Sequence, residues 1–264
     1  MRLRALSQEI TWLVNEKYDG RLTDKAKKDI NRLKKAEPLD YIIGYKKFLG
    51  CKIDLRYKPF IPREETEFWV GQAVKSAVKK NSSQRPARFA FGATLRILDM
   101  FAGSGCCGIA FLKNVPLSHC TFVDIDEKCL KQIKLNLRIN GIAKHRYQII
   151  KSNLFSQLHS QDAPYNIIMA NPPYISFARK NKVQKSVLDF EPQKALFAKN
   201  NGLYFIEAFL KRAKDFLAPN GIIYLELGDN QKREIEKILK KFAYKNFDFH
   251  KDQFGKWRYL KIKN

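Results

Sequence analysis

At 264 residues, 45% of them hydrophobic, the chain is long enough for a full α/β core and a small further domain. No run approaches the roughly 18 apolar residues of a membrane-spanning helix, and the opening Met1-Arg2-Leu3-Arg4-Ala5-Leu6-Ser7-Gln8-Glu9 turns polar too early for a secretory signal. The 50 Lys+Arg against 26 Asp+Glu leave a formal charge of +24, which favours RNA or the ribosome as partners, although the lysines are scattered as a composition bias would scatter them.

In chain order, apolar positions Leu3, Leu6, Ile10, Leu13 and Val14 predict a first helix over 3–18. Thr23 is placed to cap a second, from Asp24 to about Ala36, which Pro38 ends. Tyr41 to Ile61 alternates around Gly44 and Gly50 and reads as a hairpin, and Glu64 to Lys80 reads as a helix. The segment Asn81-Ser82-Ser83-Gln84-Arg85-Pro86 reads as a linker, so residues 1–80 are expected to form a helical recognition domain and 81–264 a catalytic one. Beyond it strands and helices alternate. The strands are Leu95–Asp99, Thr121–Asp124, Tyr147–Ile150, Ile167–Ala170 and Ile222–Leu227; the helices are Cys107–Lys113, Glu127–Asn140 and Leu203–Leu217. That alternation predicts an α/β fold with a mostly parallel, doubly wound sheet. Tyr244–His250 and Trp257–Ile262, separated by a short loop at Gly255, predict a closing antiparallel hairpin. Five cysteines without a CxxC pair argue against disulfides and zinc, and for reduced thiols in a cytoplasmic protein. The four histidines lack an acid–base partner pattern.

Two motifs carry chemistry. Asn171-Pro172-Pro173-Tyr174 follows the strand that ends at Ala170, and its two prolines stiffen the backbone on the C-terminal side of Asn171. The Asn171 side-chain oxygen and the Pro172 carbonyl can then stand as fixed acceptors beside the flat face of Tyr174. Such a cradle suits a planar –NH₂, whether a glutamine amide or the exocyclic amine of a nucleobase. The second motif runs from Asp99 through Phe101, Ala102, Gly103, Ser104 and Gly105 into a helix, with Asp124 lying 21 residues beyond Gly103. This is also the dinucleotide fingerprint, so a nicotinamide dehydrogenase competes. Asp99 argues against it: a carboxylate at the end of the first strand repels a pyrophosphate. S-Adenosylmethionine has no phosphate and carries an ammonium that Asp99 can attract, and its sulfonium would face Asn171.

With these residues in place, the chain from about Pro38 onwards resembles the peptide-chain release factor glutamine methyltransferases, of the Rossmann-like methyltransferase class. The resemblance rests on Pro38–Gly44, Ile61-Pro62-Arg63-Glu64-Glu65-Thr66-Glu67, the Asp99–Gly105 loop, Val123–Asp126, Ser152–Phe155 and the Asn-Pro-Pro-Tyr stretch. Glu191-Pro192, Gly202-Leu203, Leu225–Gly228 and Asp252–Arg258 continue it, Ile61–Glu67 and Glu191-Pro192 being the more specific segments. It implies Gly103 and Gly105 in the cofactor loop, Asp124 on the ribose, Asn153 and Leu154 near the adenine, and Asn171 to Tyr174 on the substrate amide, in a sheet domain that the small N-terminal helical domain precedes. The loop departs from the family pattern at Phe101-Ala102, where Gly-Thr is usual, and Asn153 replaces an Asp. Asp99-Met100-Phe101-Ala102-Gly103-Ser104-Gly105 also resembles the loop of ribosomal RNA guanine methyltransferases. The expected activity is therefore methylation of a release factor glutamine by a monomer, with a base amine in RNA or a ribosomal protein glutamine as alternatives. Arg63 to Glu67 admits two readings, a capped helix start or a helix start over the cofactor pocket.

Overall fold

The computed structural model describes residues 2–83, 94–159 and 164–264. Three helices open the chain: α1 (Arg2–Tyr18), α2 (Asp24–Lys34) and α3 (Leu39–Ile43). Thr23 caps α2, its Oγ1 accepting the Ala26 N–H at 3.1 Å. The helix α3 occupies the start of the stretch expected as a hairpin. Pro38 precedes it and Gly44, left-handed at φ 95°, ends it; the β-branched pair Ile42-Ile43 disguises it as strand. Leu13, Leu33 and Ile42 make a hydrophobic cluster confined to these helices, and Lys17, Tyr18 and Arg32 all donate to the buried Asp29.

The hairpin follows as β1 (Tyr45–Phe48) and β2 (Cys51–Asp54), then α4 (Glu64–Ser83). Of the expected linker, Asn81–Ser83 continue α4, while Gln84–Pro86 lie outside the described residues. The alternating part runs β3 (Leu95–Met100), α5 (Cys106–Asn114), β4 (Ser118–Asp124), α6 (Glu127–Ile139), β5 (Tyr147–Lys151), β6 (Tyr165–Ala170). After two short strands, β7 (Ile175–Ser176) and β8 (Phe197–Ala198), with α7 (Lys185–Phe190) between them, come α8 (Tyr204–Ala213), β9 (Leu217–Glu226) and α9 (Lys232–Lys241). β10 (Asn246–Lys251) and β11 (Trp257–Lys263) close the chain as the expected antiparallel hairpin.

The main sheet has the order β10-β11-β9-β6-β3-β4-β5. All pairings from β9 to β5 are parallel, and β11 joins β9 antiparallel. The chain walks outward from β3 to β5 and returns to β6 on the other side of β3. Ligands of doubly wound sheets bind at the C-terminal ends of strands where such a reversal occurs. Here the pairing Met100↔Ala170 sets the Asp99–Gly105 loop beside Asn171.

Apolar side chains cover both faces of the sheet. One cluster packs Ile97, Phe122 and Met169 against α5 and α4 through Ile109, Trp69, Val70 and Ala73. The other packs Leu98, Ile168 and Ile223 against α8 and α9 through Phe209, Ile235 and Leu239. Gly108 on α5 allows the first of these contacts, because a Cβ there would meet the Phe122 ring and, at 2.7 Å, Cys120 Sγ. The β1–β2 hairpin is docked by α6: Gln132, Asn136 and Asn140, one turn apart on one face, accept the N–H groups of Tyr57, Asp54 and Lys52 at 3.0, 2.9 and 3.0 Å. Three side-chain amides thus replace a neighbouring strand along the open edge of β2. Four of the five cysteines are buried and all five are free thiols.

Candidate functional site

The β3–α5 loop is folded around two carboxylates. Asp124 Oδ2 accepts the N–H of Gly103 at 2.8 Å, and its Oδ1 accepts that of Asp126 at 2.8 Å. Asp99 Oδ2 accepts the N–H of Gly108 at 2.9 Å, and Gly105 N–H goes to the Ala102 carbonyl at 2.7 Å. Gly103 and Gly105 are left-handed, at φ 55° and 79°. Phe101 is left-handed too, at φ 59°, and its ring is set against those of Phe205 and Phe209. A pyrophosphate needs free N–H groups on such a loop. Those of Gly103, Gly105 and Gly108 are already engaged, two of them by carboxylates, which argues against a dinucleotide.

Burial pushes the Asp99 carboxyl up to about 8; the Gly108 N–H opposes this and the nearby Asp124 charge adds to it. Burial also raises Asp124, against the N–H groups of Asp126 and Gly103 that favour its charge. Each Asp124 oxygen accepts one backbone N–H and keeps a second lone pair. Those lone pairs suit a ribose diol.

At the end of β6, Asn171 Nδ2 donates to Thr66 Oγ1 at 3.3 Å. The Thr66 hydroxyl in turn donates to Glu226 Oε2 at 2.6 Å. Trp69 Nε1 donates to the same oxygen at 2.7 Å, and the Tyr174 hydroxyl to Oε1 at 3.0 Å. Arg258, itself paired with Asp252 at 3.0 Å, donates weakly to the Tyr174 oxygen at 3.4 Å. Glu226 is 2% exposed, and burial raises its carboxyl pKa against four neighbours that favour the charge, Thr66, Trp69, Arg258 and Tyr174. Burial and the Glu226 charge also push the Tyr174 phenol far up, so it stays neutral. One buried carboxylate therefore ties down both the Asn171 amide and the Tyr174 ring.

These loops line a cavity of about 460 Å³. Of the residues singled out in the sequence, Asp99, Phe101, Ala102, Gly103, Ser104, Asp124, Asn153, Leu154, Asn171, Pro172, Pro173 and Tyr174 line it. Gly105 is the exception: it caps α5 behind the lining, where a Cβ would meet Ile133 at 3.1 Å. Tyr57 to Phe60 with Pro62, and Phe190 to Pro192 with Lys194 to Leu196, add to the wall. Glu191 clasps these two segments together, accepting the Ile61 N–H at 3.0 Å and pairing with Arg63. Lys194 reaches across to Asp126 at 2.6 Å.

Sequence reasoning left several of these residues out. Thr66 lay inside a segment with two readings, and its place beside Asn171 decides for the helix start over the pocket. Glu226 had a visible signal, an acid at the end of an apolar strand, where a charge needs partners. Gly202 stood in a segment of the family resemblance but without a role, and Gln231 had no signal. Gln231 Nε2 donates to the Tyr174 carbonyl at 2.9 Å and its Oε1 accepts the Gly228 N–H at 2.9 Å. Gly202, at φ 87°, backs onto the same carbonyl.

Residues 87–191 match the family model described as the methyltransferase small domain. The chain is 31% identical to the release factor glutamine methyltransferase of Flavobacterium psychrophilum over 232 residues, covering 88% of this chain and 77% of the relative. It is 33% identical to the bifunctional methyltransferase of Rickettsia prowazekii, again over 89% of this chain but only 46% of that longer protein. Among solved structures, the N-terminal domain of human METTL16 has the same fold, with a TM-score of 0.58, 14% identity, and coverage of 82% of this chain and 76% of that one. Sequence similarity over most of both chains, joined to a methyltransferase sheet, makes this protein a member of the release factor glutamine methyltransferase family.

Proposed function

We propose that this protein transfers a methyl group from S-adenosylmethionine to the side-chain amide nitrogen of a glutamine in a peptide-chain release factor. The observation that carries the reading is the orientation of Asn171: its –NH₂ is held by Thr66, so its carbonyl oxygen is the atom left for a substrate amide.

S-Adenosylmethionine, when bound, supplies an electrophilic methyl group on a positively charged sulfur. Asp124 suits its ribose diol; Asp99, which carries a proton in the free protein, suits its ammonium by ionising as that cation arrives, while Asn153 and Leu154 line the part of the cavity beyond β5 for the adenine. The substrate nitrogen is a poor nucleophile because its lone pair is delocalised into the carbonyl. Asn171 Oδ1 and the Pro172 carbonyl accept its two hydrogens and turn that lone pair outward. As the nitrogen becomes cationic both contacts strengthen, and the reaction is favoured at its transition state. The nitrogen then loses its extra proton to water, so no general base is needed. Tyr174, its hydroxyl fixed on Glu226, offers a ring face to the planar amide.

We assign partner recognition to residues 1–80. Their separable part is α1–α3, since α4 shares the core of the sheet and carries Thr66 and Trp69. We place the reaction in the cytoplasm, by a monomer; among the described residues no helix is long and apolar enough to cross a membrane. A second reading, methylation of an exocyclic amine of an RNA base, is favoured by the +24 charge and by a cradle that would fit either amine. Tritium transfer from labelled cofactor into purified release factor and into ribosomal RNA separates them. Label in a glutamine of the release factor is the expected result, and label confined to RNA would overturn it.

A further inference from the structure

We infer that Thr66 is a positioning residue that fixes which way round the Asn171 amide stands, with Glu226 setting its sense. The inference rests on Asn171 as the substrate's acceptor and adds the device that holds it there.

The hydrogen-bond directions follow from the atoms alone. Trp69 Nε1 can only donate, and at 2.7 Å it donates to Glu226 Oε2, so that oxygen presents lone pairs. Thr66 Oγ1 lies 2.6 Å from the same Oε2 and must spend its only proton there. What it then offers Asn171, at 3.3 Å, is a lone pair. The Asn171 group facing Thr66 is consequently Nδ2, and the carbonyl oxygen is the acceptor on the opposite side.

The chain has no freedom to reverse by side-chain movement, because Thr66 and Glu226 are each 2% exposed and Trp69 is fully buried. Hydrogen bonds in series polarise one another. A carboxylate at the far end of this chain therefore adds negative charge to the Asn171 oxygen, where positive charge develops during transfer. With the amide reversed, Asn171 would point donors at a donor, and the developing cation would meet a positive group. Without the Thr66 hydroxyl, the working orientation leaves a half-buried N–H without that acceptor and is no longer favoured over the reversed one.

The test compares Thr66→Val, which keeps the shape and removes the hydroxyl, with Thr66→Ser, which restores it. Glutamine methylation, cofactor affinity by calorimetry, and the side-chain amide signals of Asn171 in ¹⁵N-asparagine-labelled protein are read for each. The valine variant is expected to lose about 10- to 100-fold in kcat, with KM and cofactor affinity within about threefold. The serine variant should recover most of that loss. In the valine variant the Asn171 amide protons should also exchange faster with solvent. Wild-type turnover by the valine variant overturns the inference, as does a serine variant equally slow, which would assign the effect to packing. Absence of glutamine methylation in the wild type would refute the substrate reading instead. The Asn171 amide signals decide the Thr66 contact without any substrate, and their being unchanged in the valine variant overturns it.

Discussion

Gly202 stands directly behind the carbonyl of Tyr174, so close that a Cβ would overlap that oxygen, and at φ 87° it also occupies backbone space that side chains resist. Gln231 Nε2 takes the same carbonyl at 2.9 Å from the α9 side. The loop after β6 is therefore pressed into place from behind by two residues that never touch the cavity. Gly202→Ala is expected to push Tyr174 forward and lower turnover by about tenfold or more, since small displacements of reacting groups are costly. It should also cost roughly 1–3 kcal/mol of stability. Thermal unfolding and initial rates check both; a variant with wild-type rate would show that the loop tolerates movement.

Much of the frame was legible from spacing alone. The strand–loop–helix at Asp99–Gly105, the acid at Asp124 and the Pro-Pro turn at Asn171 each carry local constraints that a single chain displays. The supports were harder to see, because they come from afar: Thr66 meets Glu226 across 160 residues, and Glu191 reaches Ile61 across 130. Their roles arise only when β9 is laid beside β6 and the β8 side of the site is folded over the hairpin connector. Short α3 was hidden by its isoleucines, and the sharing of α4 with the sheet core was masked by its place before the polar segment at Asn81. Trp69 and Val70, read locally, are just the apolar face of a helix.

Asp99 gives the protein a pH dependence of definite sign. Its carboxyl is pushed up to about 8 by burial, so the folded protein holds a proton that the unfolded chain has released above its ordinary value of 3.8. Between those values stability falls as pH rises, by up to about 1.4 kcal/mol per pH unit. Asp99→Asn keeps an acceptor for the Gly108 N–H and removes the titration. Without cofactor, wild type should lose stability relative to this variant from about pH 4 to pH 8. Parallel denaturation midpoints over that range would contradict the assignment.

The clasp at Glu191 and the bridge at Lys194 should behave differently. Glu191→Ala strands the Ile61 N–H and Arg63 and is expected to cost roughly 1–3 kcal/mol of stability while weakening cofactor binding. Lys194 is 61% exposed in its pair with Asp126, so Lys194→Ala should change stability by less than about 1 kcal/mol and act mainly by speeding cofactor release. Stopped-flow dissociation alongside chemical denaturation distinguishes them. Equal effects of the two variants on stability would count against the clasp.

The central claim is that the Asn171 oxygen holds the reacting nitrogen, and single-turnover methylation by Asn171→Ala tests it most directly. With enzyme and cofactor in excess over a release factor bearing its exposed glutamine, the variant should bind cofactor nearly as wild type does. Its methyl-transfer rate should fall by roughly 10²–10³-fold, by analogy with loss of one oxyanion-hole donor. Methylation of that glutamine at the wild-type rate would contradict the account.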